Sequence, residues 1–217
     1  VEQLDEDRKY AEQYPLMDKK IWEYNPLNPQ QLKDYDVSSY CYRHSRRDWK
    51  VSAYDKGYGI NYDGDSRKPE YLIDGEKKTN WSSGKINDKP LELPYYIIFD
   101  LNKVSDIDGV YLANGYSNQC LADVHVEYIG SEVADPYDIN APWETLLQVT
   151  DPNVVRANLK NERFFDCPRT QARYLRLKIS NPNTIVFKSD SDLTEEEKAN
   201  QKKYHSFAEF GTYYKKP

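Results

Sequence analysis

From position 48 onward, apolar residues recur at every second place along several short runs. Ile97, Phe99 and Leu101 alternate with Ile98 and Asp100. Val110 and Leu112 fall on one side of the next run. Val124, Val126 and Tyr128 alternate with Asp123, His125 and Glu127, and Leu175, Leu177 and Ile179 with Tyr174, Arg176 and Lys178. Phe207 to Tyr214 forms a last β-prone run. A period of two with one apolar face is the signature of a sheet packed on a second layer. Several such strands, separated by Gly, Pro, Asn and Asp clusters, predict an all-β sandwich opening at Asp48-Trp49-Lys50-Val51.

Two segments depart from this pattern. Between the last two strands, Ser189 to Tyr204 carries Thr194 with Glu197 three residues on, a capping-box spacing. Its acidic residues lead and Lys202 and Lys203 come after them, which suits a helix dipole, so a short helix is predicted there. Residues 1–46 lack clear periodicity and read as an extension or linker, partly helical over Leu4 to Tyr14 and stopped by Pro15. The division expected is 1–46 extension and 47–217 sandwich.

The chain has 217 residues, enough for one full core plus that extension. No apolar run approaches the ~20 residues of a membrane span. The net charge of −6 does not favour phosphate backbones, so neither nucleic-acid binding nor membrane insertion is expected. Arg43, Arg46, Arg47 and Lys50 read as a solvated basic face. Twenty Tyr and four Trp suit half-buried sheet faces, and Trp49, Trp81 and Trp143 read as packing residues. Cys41, Cys120 and Cys167 are odd in number and none sits at metal-ligand spacing. His44, His125 and His205 lie in no H-E-x-x-H or G-x-S-x-G context. Asp63-Gly64-Asp65 starts like an EF-hand loop but lacks its later Gly and Glu.

The strand order and its landmarks together resemble the F5/8 type C (discoidin-like, galactose-binding-like) family. Leu72-Ile-Asp-Gly-Glu-Lys-Lys-Thr-Asn-Trp81 resembles the family's A-x-D-G-x-x-x-T-x-W turn. Pro94 to Leu101 is similar to the strand after that turn, closed by an Asp-Leu pair. Val110 to Asn114, Asp123 to Tyr128, Trp143 to Leu146, Ala172 to Leu177 and Phe207 to Phe210 come next in the family's order. The style is that of the bacterial carbohydrate-binding module family 32 branch and chitobiase-like domains. The resemblance implies a galactose-binding-like jelly-roll β-sandwich.

It also implies sites. One structural Ca2+ is expected at the turn of Asp74, Glu76 and Thr79, completed by Glu209. Hard cations take several oxygens at about 2.3–2.6 Å, and a tight turn can supply most of them. The alternative for the same residues is a plain turn in which Asp74 accepts backbone N–H groups. Ligand contacts are expected on loops at one end of the sandwich, from Ser82, Asn114, Tyr116, Asn118, Tyr204 and His205. Ser82 and Asn114 stand where sugar-binding members often carry His and Arg. The function implied is a non-catalytic carbohydrate-binding module, with a glycan or glycoprotein as partner. The host would be a secreted or surface-anchored extracytoplasmic bacterial protein. The alternative is a protein-interaction or adhesion domain of the discoidin type, with residues 1–46 as a further contact. An enzyme on this fold ranks next, and a phospholipid binder last, since the loops hold Asn, Ser, Asp and Tyr rather than apolar tips ringed by basic residues.

Overall fold

The structure, a computed structural model, describes residues 15–16, 41–55, 67–86, 89–90, 92–115, 123–138, 140–150, 162–182 and 193–215. The predicted helix over Leu4 to Tyr14 lies outside them. The strands are β1 (Pro15–Leu16), β2 (Cys41–Arg43), β3 (Lys50–Asp55), β4 (Trp81–Ser82), β5 (Lys85–Ile86) and β6 (Lys89–Pro90). They continue with β7 (Tyr95–Asn114), β8 (Val124–Ile129), β9 (Glu144–Val149), β10 (Glu162–Ile179) and β11 (Ser206–Lys215). Helix α1 spans Glu195–Gln201.

The frame is one long antiparallel ribbon of β7 and β10, which contributes to both layers of the sandwich. The first half of β7 pairs with β3 and with the end of β10, beyond which lie β8 and β9. Its second half pairs with β11 and with the start of β10. β11 in turn carries β2 on one stretch and β4 on another. The ribbon turns near Asn102, which holds a left-handed φ of 65°. Asn tolerates that region better than other side-chain-bearing residues, and its N–H is held by the Asp100 carboxylate at 2.7 Å.

The predicted alternation is present on both halves, but its phase changes between them. Tyr95, Ile97, Phe99 and Leu101 face the core together, and beyond the turn Val110 and Leu112 do so. The change falls beside a register irregularity in β10 between Asp166 and Thr170. Phe99 of the first half of β7 and Phe210 of β11 stack at 4.1 Å between ring centroids, so the two layers meet there. Trp49 packs edge-on against Phe99, and Trp81 is buried and stacked on Phe207 at 5.3 Å. Trp143 lies on the outer face instead, against Tyr96 and Ile98 and with the Arg176 guanidinium 4.4 Å from its ring centroid.

Two glycines let aromatic rings lie flat across the outer face of the second layer. Gly109 stands opposite Tyr213 and Gly211 opposite Tyr111. A Cβ on Gly109 would fall 2.2 Å from the Tyr213 ring and 2.6 Å from the Phe165 carbonyl oxygen. Helix α1 forms as its capping box predicts: the Thr194 hydroxyl accepts from Glu197 N–H at 3.2 Å and the Glu197 carboxylate accepts from Thr194 N–H at 2.8 Å.

Two expectations need amending. The sheet takes in residues before position 47, because Cys41–Arg43 pairs with Tyr213–Lys215. The basic run is not a solvated face throughout. Arg47 is exposed, but Arg46 is buried and the Arg43 guanidinium lies 4.6 Å from the Tyr111 ring centroid.

Phe99→Ala removes the ring at the junction of the layers. A loss of about 3–5 kcal/mol in urea unfolding is expected, the cost of a large unfilled core cavity. A loss below ~1 kcal/mol would mean the layers do not meet at that ring.

Candidate functional site

At one end of the sandwich the start of β11 runs between β4 and the end of β7. Ser206 pairs with Ser82, and Phe207 with both Trp81 and Asn114. The fold thus gathers Ser82, Asn114, Tyr204 and His205, drawn from three distant parts of the sequence, at one edge. Tyr116 and Asn118 come directly after the end of β7 and lie outside the described residues.

The edge is closed by small polar groups bonded to one another. Asn80 Nδ2 donates to the hydroxyls of Ser206 at 3.0 Å and Ser82 at 3.3 Å. Ser206 Oγ donates to the Trp81 carbonyl at 2.7 Å. Ser83 N–H donates to the His205 carbonyl, Gly115 N–H to that of Ser206, and His205 N–H to Ser83 Oγ. A Cβ on Gly115 would meet Ser206 Oγ at 2.3 Å, so the crossing admits nothing larger there. Asn80 heads the Asn-Trp-Ser glycosylation pattern, yet its amide is spent inside this network.

His205 is fully buried. Its Nδ1 lies against the Tyr95 hydroxyl and 3.1 Å from the Lys203 carbonyl. The Tyr95 hydroxyl donates to the same carbonyl at 3.3 Å, an arrangement that suits a neutral ring with its proton on Nδ1. Burial pushes the imidazole down to about 4, with the Lys203 and Asn181 carbonyls opposing the shift. Burial likewise pushes the Tyr95 phenol upward.

These placements divide the expected ligand residues. Ser82 and His205 are buried and held within the protein, so they shape the floor of this end rather than face a ligand. Tyr204 is half-buried beside Lys203, whose ammonium pairs with Glu92 at 3.0 Å.

The turn expected to hold a cation lies between the 3-10 turn Pro69–Leu72 and β4. Gly75 takes a φ of 82°, which only glycine adopts without cost. Asp74 accepts Glu76 N–H at 2.8 Å through Oδ1, and the Thr79 hydroxyl at 2.7 Å through Oδ2. The Thr79 hydroxyl also meets the Glu76 carbonyl at 2.6 Å. Glu76 is exposed and pairs with Lys78 at 3.2 Å. Glu209 is buried on β11 and its Oε2 forms an ion pair with Arg46. As placed, these four residues do not fit a shared calcium: two bond to each other, one faces solvent and the fourth holds a guanidinium. Among the described residues no three His, Cys, Asp or Glu side chains form a group that could hold a metal ion.

Arg46 is the residue that sequence reasoning missed here. The signal was available in Phe207-Ala208-Glu209-Phe210, where one carboxylate interrupts an apolar strand and requires a cation beside it. Cys167 is half-buried, and burial, with the Asp108 and Asp166 carboxylates, pushes its thiol up to about 12, far from a reactive thiolate.

Comparison with known proteins places this geometry. The family model for the F5/8 type C domain matches residues 50–189. Among solved structures, the Clostridium perfringens module CpGH89CBM32-5, in complex with GalNAc-β-1,3-galactose, superposes with a TM-score of 0.53 at 16% identity, covering 77% of this chain and 96% of its own. The C-terminal domain of a chitobiase from Bacteroides fragilis gives 0.53 at 21% identity, over 78% and 95%. The family 32 CBM of C. perfringens NanJ, in complex with galactose, gives 0.52 at 16% identity, over 78% and 96%. No curated protein sequence matches the chain.

The His205 environment predicts a pH dependence of stability. The folded form keeps the ring neutral down to about pH 4, whereas an unfolded chain protonates it near 6.5. Between those values the unfolded state binds more protons, so stability rises with pH. The contribution is complete above about pH 6.5 and is lost as pH falls toward 4. Urea unfolding at pH 7 and pH 5 should differ by ~2 kcal/mol, and His205→Gln should flatten that difference. Equal stability at the two pH values would remove His205 from the buried network.

Proposed function

We propose that this chain, which belongs to the F5/8 type C domain family, is a non-catalytic carbohydrate-binding module. Its ligand site is placed on the loops at the Ser82, Asn114 and Ser206 end of the sandwich. The observation that carries this reading is the convergence of β4, β7 and β11 at one polar edge, from which the segment with Tyr116 and Asn118 departs. Rigid strands that hold a variable loop are where binding residues collect. Structures of the same fold hold galactose and GalNAc-β-1,3-galactose, which supports a glycan as the ligand.

The chemistry comes from the residue types. A sugar ring offers an apolar face to an aromatic ring and hydroxyls to amides. Tyr116 is the proposed stacking group, Asn118 supplies amide hydrogen bonds, and Tyr204 borders the site from the α1 side. Asn114 ends β7 at the mouth, and the bonded floor of Ser82, Ser206 and His205 keeps the loop ends in place. A shallow site of this kind buries little surface, so each contact is weak and affinity comes from repetition along a surface. The partner is a glycan or glycoprotein, and the setting is extracytoplasmic, on a secreted or surface-held protein that keeps glycan-processing machinery near its substrate.

A glycan array tests this directly. Saturable binding to one class of glycan is expected, reduced at least about tenfold by Tyr116→Ala or Asn118→Ala, since loss of an aromatic platform or a paired amide removes ~1.4 kcal/mol or more. No binding to any glycan, or binding unchanged in both variants, would refute the site.

A further inference from the structure

We propose that Arg46 is the resident cation of the Asp74 turn, and that the domain therefore folds and stays folded without calcium. The oxygens gathered at Arg46 are of the kind a hard cation uses. Arg46 Nη1 forms an ion pair with Glu209 Oε2 and donates to the Phe210 carbonyl at 2.8 Å and the Leu72 carbonyl at 3.2 Å. With two hydrogens on Nη1, the longest of these contacts is a shared one. One carboxylate and two backbone carbonyls, from β11 and from the start of the turn, are thus drawn to a single positive group.

The guanidinium is enclosed. The side chains of Arg46 and Glu209 are 5% and 2% exposed. Arg46 Nη2 lies 3.9 Å from where a Cβ on Gly75 would stand, so the left-handed corner of the turn packs directly on it. The Tyr111 ring centroid lies 5.7 Å from the guanidinium carbon and offers its negative face. The backbone fixes the approach: Trp49 N–H donates to the Arg46 carbonyl at 3.1 Å, which closes the connection from β2 to β3. Of the turn's side-chain oxygens, those of Asp74 accept from Glu76 N–H and the Thr79 hydroxyl, and one of Glu76 pairs with Lys78.

A divalent ion bound to the same carboxylate would stand close to the guanidinium, and like charges repel strongly where water is excluded. A tethered cation also differs from a bound one in its dependence on conditions. It adds no dissociation step, so stability is independent of calcium activity and of chelators. Both members of the pair lie outside residues 50–189, the span that the family model matches.

Thermal unfolding of the whole chain in millimolar calcium and in EDTA tests this independently of any sugar. The expected difference in Tm is below about 1 °C, and isothermal titration with calcium alone should show no saturable heat. A micromolar site would instead raise Tm by roughly 5–10 °C at a hundredfold excess of ion, and that result overturns the proposal. The second arm uses Arg46→Met, which keeps the stem and removes the charge. A fall in Tm of roughly 10 °C is expected, since it strands a buried carboxylate, with a much smaller further fall when the same change is made on Glu209→Gln. An unchanged Tm, or equal losses in both backgrounds, overturns the proposal. Should Arg46→Met not fold, the calcium titration of the unaltered chain still decides.

Discussion

Glu209 sits between Ala208 and Phe210 on the strand that the second layer is built around, and it is 1% exposed. A carboxylate there costs several kcal/mol unless a cation and hydrogen bonds meet it. Arg46 meets it, and in doing so ties the connection between β2 and β3 to β11 and to the turn that leads into β4. β11 is the strand on which β2, β4 and the second half of β7 all pair. Fixing its middle therefore fixes both of its ends: the Tyr213–Lys215 stretch under β2, and the Ser206–Phe207 stretch at the polar edge.

That edge is built to be rigid and bland. Its serines and the Asn80 amide bond one another, while the His205 ring lies against the Tyr95 hydroxyl and the Lys203 carbonyl. Such a floor holds the ends of the loops that leave it. A sugar ligand asks for an aromatic face and a few amides in fixed positions, with no charge to be developed or neutralised.

The parts of this fold that could be read from sequence are those governed by local rules. Alternation over Ile97 to Leu101 and Leu175 to Ile179 reports one buried face, and Thr194 with Glu197 reports a helix start; both are present as read. What could not be read depends on residues brought together from afar. That one strand runs from Tyr95 to Asn114 depends on Asn102 accepting a left-handed corner, a weak signal in a single Asn. That Ser82 and His205 are buried depends on β11 crossing between β4 and β7, a pairing of segments far apart in the chain. Arg46 looked like one of several surface cations because its partner is 163 residues away. The family resemblance added the order of the landmarks to what spacing alone supplies, and with it the expectation of a calcium turn.

The central claim is that ligand enters at the polar edge. The direct measurement is a two-dimensional NMR titration of the chain with a galactose-terminated oligosaccharide, tracking backbone amides. The account predicts saturable shifts grouped at Asn80–Ser83, Gly115 and Tyr204–Ser206, with Asp100–Ser105 at the ribbon corner unmoved. Shifts grouped at that corner, or none at saturating sugar, would contradict it.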